Sequence, residues 1–264
     1  MLQALETAAT GMQAQEMRIQ VIANNLANAG TVGYKVSRSR TQDQVYQDIR
    51  LAGTFSSPQS FLPTGINVGL GTRIAAVDKV FTEGELQNTG NPLDLAIEGD
   101  GFLQVQLPGG NIGYTRDGSL RVNQNGQLTT LDGYLIIPAV TIPPGAENVT
   151  ISPSGQVSAQ INNAPAPTVL GQLQLVRFVN PAGMQPYGQN LFLQAIGSGA
   201  PQVGIPNQQG FGSLMQGYVE MPNESIVEEM VELIQAQQAY EAGSKATQVA
   251  AQMMSTASNM VIVA

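Results

Sequence analysis

Three acidic side chains lie close together in the stretch LDLAIEGDGF, which contains Asp94, Glu98 and Asp100. Two carboxyl groups at a suitable distance are the usual machinery of glycoside hydrolysis, and carboxylate oxygens also bind divalent cations. The spacing lacks the Asp-x-Asp-x-Asp-Gly pattern of a calcium loop. We therefore expect these acids to lie at a strand end and in a turn, facing water, and we keep an extracellular glycan hydrolase as the alternative function.

The composition excludes most other catalytic chemistry. The chain of 264 residues contains no Cys and no His. Without Cys there is no disulfide, no zinc–thiolate or iron–sulfur site and no thiol nucleophile. Without His, the most frequent general base and metal ligand is missing. We expect a protein that is not an enzyme and that holds no metal and no cofactor.

Charge and hydropathy narrow the range of partners. The chain has 11 basic and 19 acidic residues, which give a net charge of −8. Nucleic-acid binding requires a basic stripe, so we expect no nucleic-acid partner. No apolar run approaches the roughly 18 residues of a membrane span, so we expect no membrane insertion. The N-terminus has no cationic segment before an apolar stretch, and we expect no secretory signal peptide.

The N-terminal segment predicts one long helix. Residues 2–28 contain no Pro and a single Gly, Gly11. Apolar side chains follow a seven-residue spacing and form one stripe, which consists of Leu5, Met12, Ile19, Ile22 and Leu26. Gln15 interrupts the stripe. A helix of this length measures roughly 40 Å at 1.5 Å per residue.

The C-terminal segment has the same character. It contains no Pro from Asn223 to Val263, and acidic residues crowd its start, where the helix dipole favours negative charge. Its stripe consists of Ile226, Met230, Leu233, Ile234, Gln237 and Tyr240, with Gln237 as a polar interruption. Glu241 and Lys245 are spaced for an i,i+4 ion pair. We expect a helix of nearly 40 residues.

The segment between the helices is β-rich. Leu103, Val105 and Leu107 alternate with Gln and predict a strand, and Leu173 and Leu175 predict another. The stretches RVNQNGQLTT and TISPSGQVSA both predict hairpins. Residues 52–72 and 197–213 are rich in Gly, Ser, Pro and Gln, which favours loops or extensions that are ordered only by contacts. The fold class expected is α+β, with long terminal helices packed as a coiled-coil-like domain and a mainly-β body inserted between them.

Three asparagines, Asn24, Asn25 and Asn28, crowd the end of the first helix. Asparagine often ends a helix because it tolerates the left-handed conformation. Three in five residues exceed what one cap requires. We therefore predict that these amides also bind a neighbouring element or another subunit.

The two apolar stripes are too narrow and too interrupted to stabilise an isolated helix pair. Helices that bury so little surface are marginal in water. We expect the ends to fray in the single chain and to become ordered when several chains combine their stripes. The outer helix faces carry neutral glutamines, which suit close packing of identical copies because like charges would repel. These observations favour a self-assembling structural protein, with a phage-tail or adhesin-like fibre as a further alternative.

Two terminal motifs resemble the signatures of bacterial flagellar rod and hook proteins. The first is ANNLANAGTVGYK, which ends in Gly33, Tyr34 and Lys35, and the second is EEMVELIQAQQAYEAGSK. The central stretches GELQNTGNPLDLAIEGDGFLQV and YTRDGSLRVNQNGQL resemble the β region of the family. Within the family, the chain length and residues 46–72 are most similar to the distal rod members, and a proximal rod or other axial protein is the alternative. Gln238 and Gly243 stand where Arg and Asn are usual in the family.

The resemblance implies a structural subunit that polymerises into a hollow rod and transmits torque from the motor to the hook. It implies residues 1–30 and 221–264 as an inner-tube domain, 31–75 as an extended linker and 76–220 as an outer domain. The implied location is the basal body, in the periplasm. The implied partners are further copies of the chain, proximal rod proteins, the hook protein, the peptidoglycan and outer-membrane ring proteins and the flagellar type III export apparatus. Residues 46–72 are a candidate for axial contacts that stiffen the rod.

Overall fold

A computed structural model describes the backbone of residues 2–51, 53, 55–57, 60–61, 63–161 and 166–262. Side chains are described for residues 3–51, 53, 63–161 and 166–256. The chain forms two compact units. The helical unit comprises residues 1–27, 37–78 and 226–264, and the β unit comprises residues 28–36 and 79–225.

Two long helices form the frame of the helical unit. Helix α1 spans Leu2–Ala27 and helix α2 spans Ile226–Ile262, which confirms the helices predicted at both ends of the chain. Contacts pair Asn25 with Glu229 and Arg18 with Glu232. Because residue numbers rise along one helix as they fall along the other, α1 and α2 run antiparallel.

Gly243 of α2 packs directly against a side chain of α1, whereas Gly11, the other described helical glycine, has open space beside it. A Cβ atom at this position would lie 2.8 Å from Cγ of Met12. The sequence suggests a flexible point in the helix because glycine lowers helix propensity. The structure gives Gly243 a packing role instead, since its missing side chain leaves room for Met12.

Six strands are described in the helical unit beside the two helices. They are β1 (Ser37–Asp43), β2 (Tyr46–Arg50), β3 (Phe55–Ser57), β4 (Ser60–Phe61), β5 (Ile66–Gly69) and β6 (Thr72–Lys79), of which the last reaches the unit boundary. Strand β1 pairs with β6, β2 with β5 and β3 with β4. Residues 52–72 are therefore not only loop, as the composition suggests, because β3, β4 and β5 form within them. Residues 52, 54, 58, 59 and 62 of that segment lie outside the described residues.

Sixteen further strands are described in the β unit. They are β7 (Leu86–Asn88), β8 (Leu95–Glu98), β9 (Leu103–Gln106), β10 (Ile112–Thr115), β11 (Arg121–Val122), β12 (Leu128–Thr129), β13 (Leu135–Ile137), β14 (Ala146–Ile151), β15 (Gln156–Ile161), β16 (Thr168–Gln172), β17 (Leu175–Arg177), β18 (Gln185–Gly188), β19 (Leu191–Leu193), β20 (Gln202–Gly204), β21 (Ser213–Gln216) and β22 (Tyr218–Glu220). The largest sheet has the order β11-β12-β13-β9-β10-β19-β18, and β14, β15 and β16 form a second sheet. Short pairs join β8 to β21, β7 to β22 and β17 to β20.

The β unit has a dry aliphatic core and an aromatic cluster beside it. Leu95, Ile97 and Val105 are fully buried in the aliphatic core. Tyr114 and Phe178 meet edge to face with ring centroids 4.8 Å apart. Edge-to-face pairs add stability beyond the area they bury, so this cluster fixes the packing of the unit.

Several predicted β elements form as expected. Strand β9 covers the alternating stretch that begins at Leu103, and both predicted hairpins are present, as the pairs β11–β12 and β14–β15. The strand predicted around Leu173 and Leu175 is wrong, because β16 ends at Gln172 and β17 begins at Leu175. Leu173, which lies within this break, and Leu175, the first residue of β17, are both fully buried. Residues 197–213 contain the short strand β20 in addition to loop.

Candidate assembly surfaces

A buried charge cluster anchors the residues that follow α1. Lys35 Nζ donates hydrogen bonds of 2.6 Å to Glu220 Oε1 and to the carbonyl oxygen of Thr82. Arg116 Nη1 donates to Glu220 Oε2 at 3.1 Å. The Lys35 and Glu220 side chains are both 0% exposed. One buried carboxylate therefore serves two buried cations, and Lys35 lies inside the β unit in the single chain.

Burial lowers the affinity of two lysines of the β unit for their protons. Burial lowers the pKa of Lys35 below its ordinary value of 10.5, while the Glu220 carboxylate acts in the opposite direction. Burial also lowers the pKa of Lys79. Lys79 Nζ lies 4.5 Å from the ring centroid of Tyr34 and donates to the carbonyl oxygen of Lys35. Tyr34 and Lys35 are thus held by cationic contacts within the β unit.

Gly33 occupies a position that tolerates no side chain. Its φ is +70°, and a Cβ atom there would lie 2.6 Å from the backbone nitrogen of Asp117. Its N–H donates to the carbonyl oxygen of Glu220 at 2.8 Å. Left-handed backbone and close backbone approach together require glycine here, which is a physical reason for the Gly-Tyr-Lys sequence.

Asn25 binds neighbouring elements through its side-chain amide. It is 3% exposed, and its amide nitrogen donates to the Ser37 carbonyl oxygen at 2.9 Å and to Glu229 Oε1 at 3.2 Å. Its Oδ1 accepts the Ser37 N–H at 3.0 Å. One amide therefore joins α1 to β1 and α2. Asn24 is exposed, and Asn28 accepts a hydrogen bond from Thr31 Oγ1.

An ion-pair group joins the same three elements one turn further along. Glu232 on α2 accepts hydrogen bonds from Arg18 of α1 at 3.1 Å and from Arg38 of β1 at 3.0 Å. Burial raises the pKa of Glu232, but the hydrogen bonds and charges of Arg18 and Arg38 outweigh this and lower it below the ordinary value of 4.5. The sequence motifs gave no signal for Arg18 or Arg38.

The first half of α2 exposes an apolar surface, which we term the α2 apolar face. It consists of Ile226, Val227, Met230, Val231 and Ile234, each between 48% and 69% exposed. Large apolar side chains grouped in this way mark interaction sites. Val227 and Val231 were missed in the sequence, although their i,i+4 spacing runs beside Ile226 and Met230.

The other predicted interaction residues divide between buried and exposed positions. On α1, Ile22 is buried and the remaining stripe is half-buried, namely Leu5, Met12, Ile19 and Leu26. On α2, Leu233 is half-buried, and the exposed positions are Gln237, Tyr240 and Glu241. Ala236, which is 1% exposed, is the most buried residue of α2 with a described side chain. The helices therefore contact each other through a narrower strip than the full stripes provide.

The three acids of LDLAIEGDGF have local partners. Asp94 is 6% exposed and accepts hydrogen bonds from Thr89 Oγ1 and Asn91 Nδ2, both at 2.7 Å. Glu98 Oε2 accepts from Ser213 Oγ at 2.9 Å. The Asp100 carbonyl oxygen accepts the Gly212 N–H. Asp94 is therefore buried rather than facing water as expected, and its carboxylate holds the turn at residues 89–94.

Two further kinds of feature, a metal site and a membrane-spanning helix, are not found among the described residues. In the part of the chain that the structure describes, no group of three or more acidic side chains is placed to hold a metal ion. None of the described helices is long and apolar enough to cross a membrane.

The chain has two long antiparallel terminal helices with an exposed apolar surface and a β unit inserted between them in the sequence. Three family models match the chain. They are described as flagella basal body rod protein at residues 5–35, flagellar hook protein FlgE/F/G D1 domain at 96–159 and flagellar basal body rod FlgEFG protein C-terminal at 215–260. The family models place it in the class of axial structural proteins of the bacterial flagellum.

Full-length relatives make the assignment specific. The chain is 45% identical to the flagellar basal-body rod protein FlgG of Borreliella burgdorferi, over 98% of this chain and 99% of the relative. It is 44% identical to FlgG of Caulobacter vibrioides, with 98% and 99% covered, and 34% identical to FlgG of Bacillus subtilis, with 93% and 94% covered. The chain belongs to the FlgG family of flagellar basal-body rod proteins.

Proposed function

We infer that the chain is a structural subunit of the distal rod in the flagellar basal body. Full-length relatedness to FlgG proteins supports this function. The observation that carries the mechanism is the α2 apolar face. A helix that leaves five large apolar side chains in water gains stability when a second chain covers them, at about 25 cal/mol per Å² of apolar surface buried. Polymerisation thus follows from the surface of the subunit.

In this proposal the terminal helices of many copies pack as a coiled-coil-like inner tube around a channel, and residues 76–220 form the outer domain. The interaction residues in this proposal are the exposed and half-buried members of the two predicted stripes. Asn25 and the Gly33–Lys35 turn are buried within the chain and position the elements that carry them. Many weak contacts acting together hold the rod and transmit torque to the hook. The partners are proximal rod proteins, the hook protein, the peptidoglycan and outer-membrane ring proteins and the export apparatus, and the rod crosses the periplasm.

A charge placed on the α2 apolar face tests the proposal. Met230→Glu puts a carboxylate where a neighbouring chain would bury an apolar side chain, and we expect the protein concentration at which polymers form to rise roughly tenfold or more. Ala242→Glu is the matched control, because it adds the same charge at an exposed position of the same helix outside the α2 apolar face. Sedimentation and electron microscopy measure polymer formation. Equal thresholds for the two variants would contradict the mechanism.

Residues 46–72 are proposed to make axial contacts between copies. Strands β2 and β5 form a two-stranded sheet that leaves Tyr46, Ile49 and Ile66 more than half exposed. An isolated pair of strands is marginally stable in water, which supports a covering partner. A variant that lacks this segment is expected to form curved or fragile rods. Equally straight rods from that variant would be the adverse result.

The glutamines on the outer helix faces are proposed to line a channel that has little affinity for the chains exported through it. Gln20 and Gln248 are exposed and neutral. Substitution of such residues by Lys adds fixed charge to the wall and is expected to slow export. Unaltered export in these variants would count against the proposal.

A further inference from the structure

A small groove in the helical unit lies against α1, β1 and α2. Its volume is about 150 Å³, and its lining includes Arg18, Asn25, Arg38, Glu229 and Glu232. Pockets that bind cofactors or drug-sized molecules usually measure roughly 300–1,000 Å³. This groove therefore has room for one side chain rather than for a cofactor.

Glu229 supplies the wall of the groove with an unsatisfied acceptor. The residue is 4% exposed, and its Oε1 accepts the hydrogen bond from Asn25. Its Oε2 is buried and has no hydrogen-bond partner among the described residues. A buried polar atom without a partner is costly, and an ionised carboxylate oxygen can only accept. The missing group must therefore donate a hydrogen bond.

Arg18, on the same wall, can bind only a group that accepts a hydrogen bond. Its guanidinium donates one N–H to Glu232 and remains 38% exposed, and an arginine can only donate. A group that enters between Arg18 and Glu229 must both accept and donate. The charges of the wall balance, with Arg18 and Arg38 against Glu229 and Glu232, so neither a cation nor an anion is favoured overall. A primary amide fits this requirement, because its nitrogen donates and its oxygen accepts at two separate atoms, whereas a hydroxyl must do both from one oxygen.

We propose that this groove receives the amide of a glutamine side chain from a second copy of the chain. The inference rests on the proposed function, since it requires polymerisation. The chain offers suitable groups on the same helices, which include the exposed glutamines Gln13, Gln235, Gln238 and Gln252. The amide nitrogen donates to Glu229 Oε2, and the amide oxygen accepts from Arg18. These hydrogen bonds fix the relative orientation of two copies, which apolar burial alone does not do.

Glu229→Gln tests the contact in the full-length chain. The substitution keeps the shape and leaves an oxygen for the bond with Asn25, but it places an NH₂ group where the incoming amide must donate. We expect the polymerisation threshold to rise about tenfold, because a hydrogen bond to a charged group contributes about 1.5 kcal/mol or more. Glu228→Gln is the matched control, since it removes the same charge from an exposed neighbour on the same helix. We expect that variant to change the threshold less than twofold.

Solid-state NMR on mixed polymers identifies the bound group. Copies with ¹⁵N-glutamine side chains are polymerised with copies that carry ¹³C-glutamate, so that magnetisation transfer between the labels reports only contacts between copies. We expect transfer from a glutamine Nε2 to the Glu229 carboxyl carbon. The inference would be overturned by the absence of this transfer, or by a lysine nitrogen or water at that position. Equal polymerisation thresholds for the two variants would overturn it as well. A wild-type chain that forms no polymer would instead contradict the proposed function.

Discussion

At the scale of single residues, the strongest local constraint is the cluster of Lys35, Arg116 and Glu220. Two cations share one carboxylate in a site without solvent exposure. Removing the partner of a buried charge is far more damaging than removing a charge that leaves a complete pair behind. The three residues are therefore unequal in their contributions to stability.

We predict that Glu220→Gln lowers the free energy of unfolding by about 3–5 kcal/mol, since it leaves two buried cations without an anion. Lys35→Met is expected to have a smaller effect, about 1–2 kcal/mol, because Arg116 and Glu220 remain paired. Urea denaturation measures both changes. Arg40→Met, which removes a largely exposed ion pair with Asp78, is the control and should change stability by less than about 1 kcal/mol. The reverse order of the first two variants would refute this account.

Glu232 predicts an acid-sensitive step in the helical unit. Its pKa is lower in the folded chain than the ordinary 4.5, so the folded state binds fewer protons than the unfolded state. The resulting stabilisation is fully present above pH 4.5 and is lost as the pH falls through the lowered pKa. We expect helicity at 222 nm to be less resistant to urea at pH 3 than at pH 6. In Glu232→Gln the loss between these values should be smaller, and an unchanged pH dependence would exclude the role of Glu232.

At the scale of elements, the residues that α2 buries differ from those of its predicted apolar stripe. Glu229 and Ala236 lie buried on α2, whereas Met230 and Ile234 are half exposed. On α2 the most buried positions are a carboxylate and an alanine, and the large side chains of the α2 apolar face lie outside the contact with α1. On α1, by contrast, Met12 of the predicted stripe packs against Gly243 of α2. The apolar pattern thus predicts the helices correctly but marks the pairing face on α1 better than on α2.

The close approach at Gly243 predicts coupling between the two helices. Gly243→Ala raises helix propensity by about 1 kcal/mol, but the new Cβ would meet Met12 at 2.8 Å. We expect the substitution to stabilise the helices by about 1 kcal/mol in a Met12→Ala background and to give no gain, or a loss, in the wild-type chain. A double-mutant cycle in thermal unfolding measures the difference. Additive effects of the two substitutions would show that the contact between Gly243 and Met12 does not couple the helices.

At the scale of the whole molecule, the two units differ in how completely they bury their apolar residues. The β unit holds a continuous core with Leu95, Ile97 and Leu214 fully buried, while α2 keeps its largest apolar surface in water. Segments with few buried contacts open with low free energy. The β unit therefore has a complete core within one chain, whereas the proposed function makes the helical unit depend on neighbouring copies for stability.

We predict that amide hydrogens of α1 and α2 exchange rapidly in the single chain, while the core strands β8, β9 and β10 are protected. Polymerisation should slow exchange in both helices by at least tenfold and change the core strands little. Hydrogen exchange followed by mass spectrometry, on single chains and polymers, measures this difference. Helices that are equally protected in both states would contradict the dependence on neighbours.

Much of the architecture could be predicted from the sequence because helix and hairpin signals are local. Pro-free segments with a seven-residue apolar spacing identified α1 and α2, and Asn-Gly and Ser-Gly turns identified two hairpins. The break between Leu173 and Leu175 escaped prediction because apolar alternation does not distinguish one strand from two strand ends that meet in a core. Arg18, Arg38 and Glu229 escaped because their partners lie on separate elements.

The sequence by itself determined the two terminal helices, the β-rich middle and the absence of cysteine and histidine chemistry, since these depend on composition and on contacts between near neighbours. Only the tertiary structure decided that Lys35 is buried with Glu220 and Arg116, that Asn25 binds Ser37 and Glu229, and that Glu229 keeps an unsatisfied oxygen. The physical reason is that burial and charge pairing depend on residues far apart in the chain, which no local pattern relates to one another.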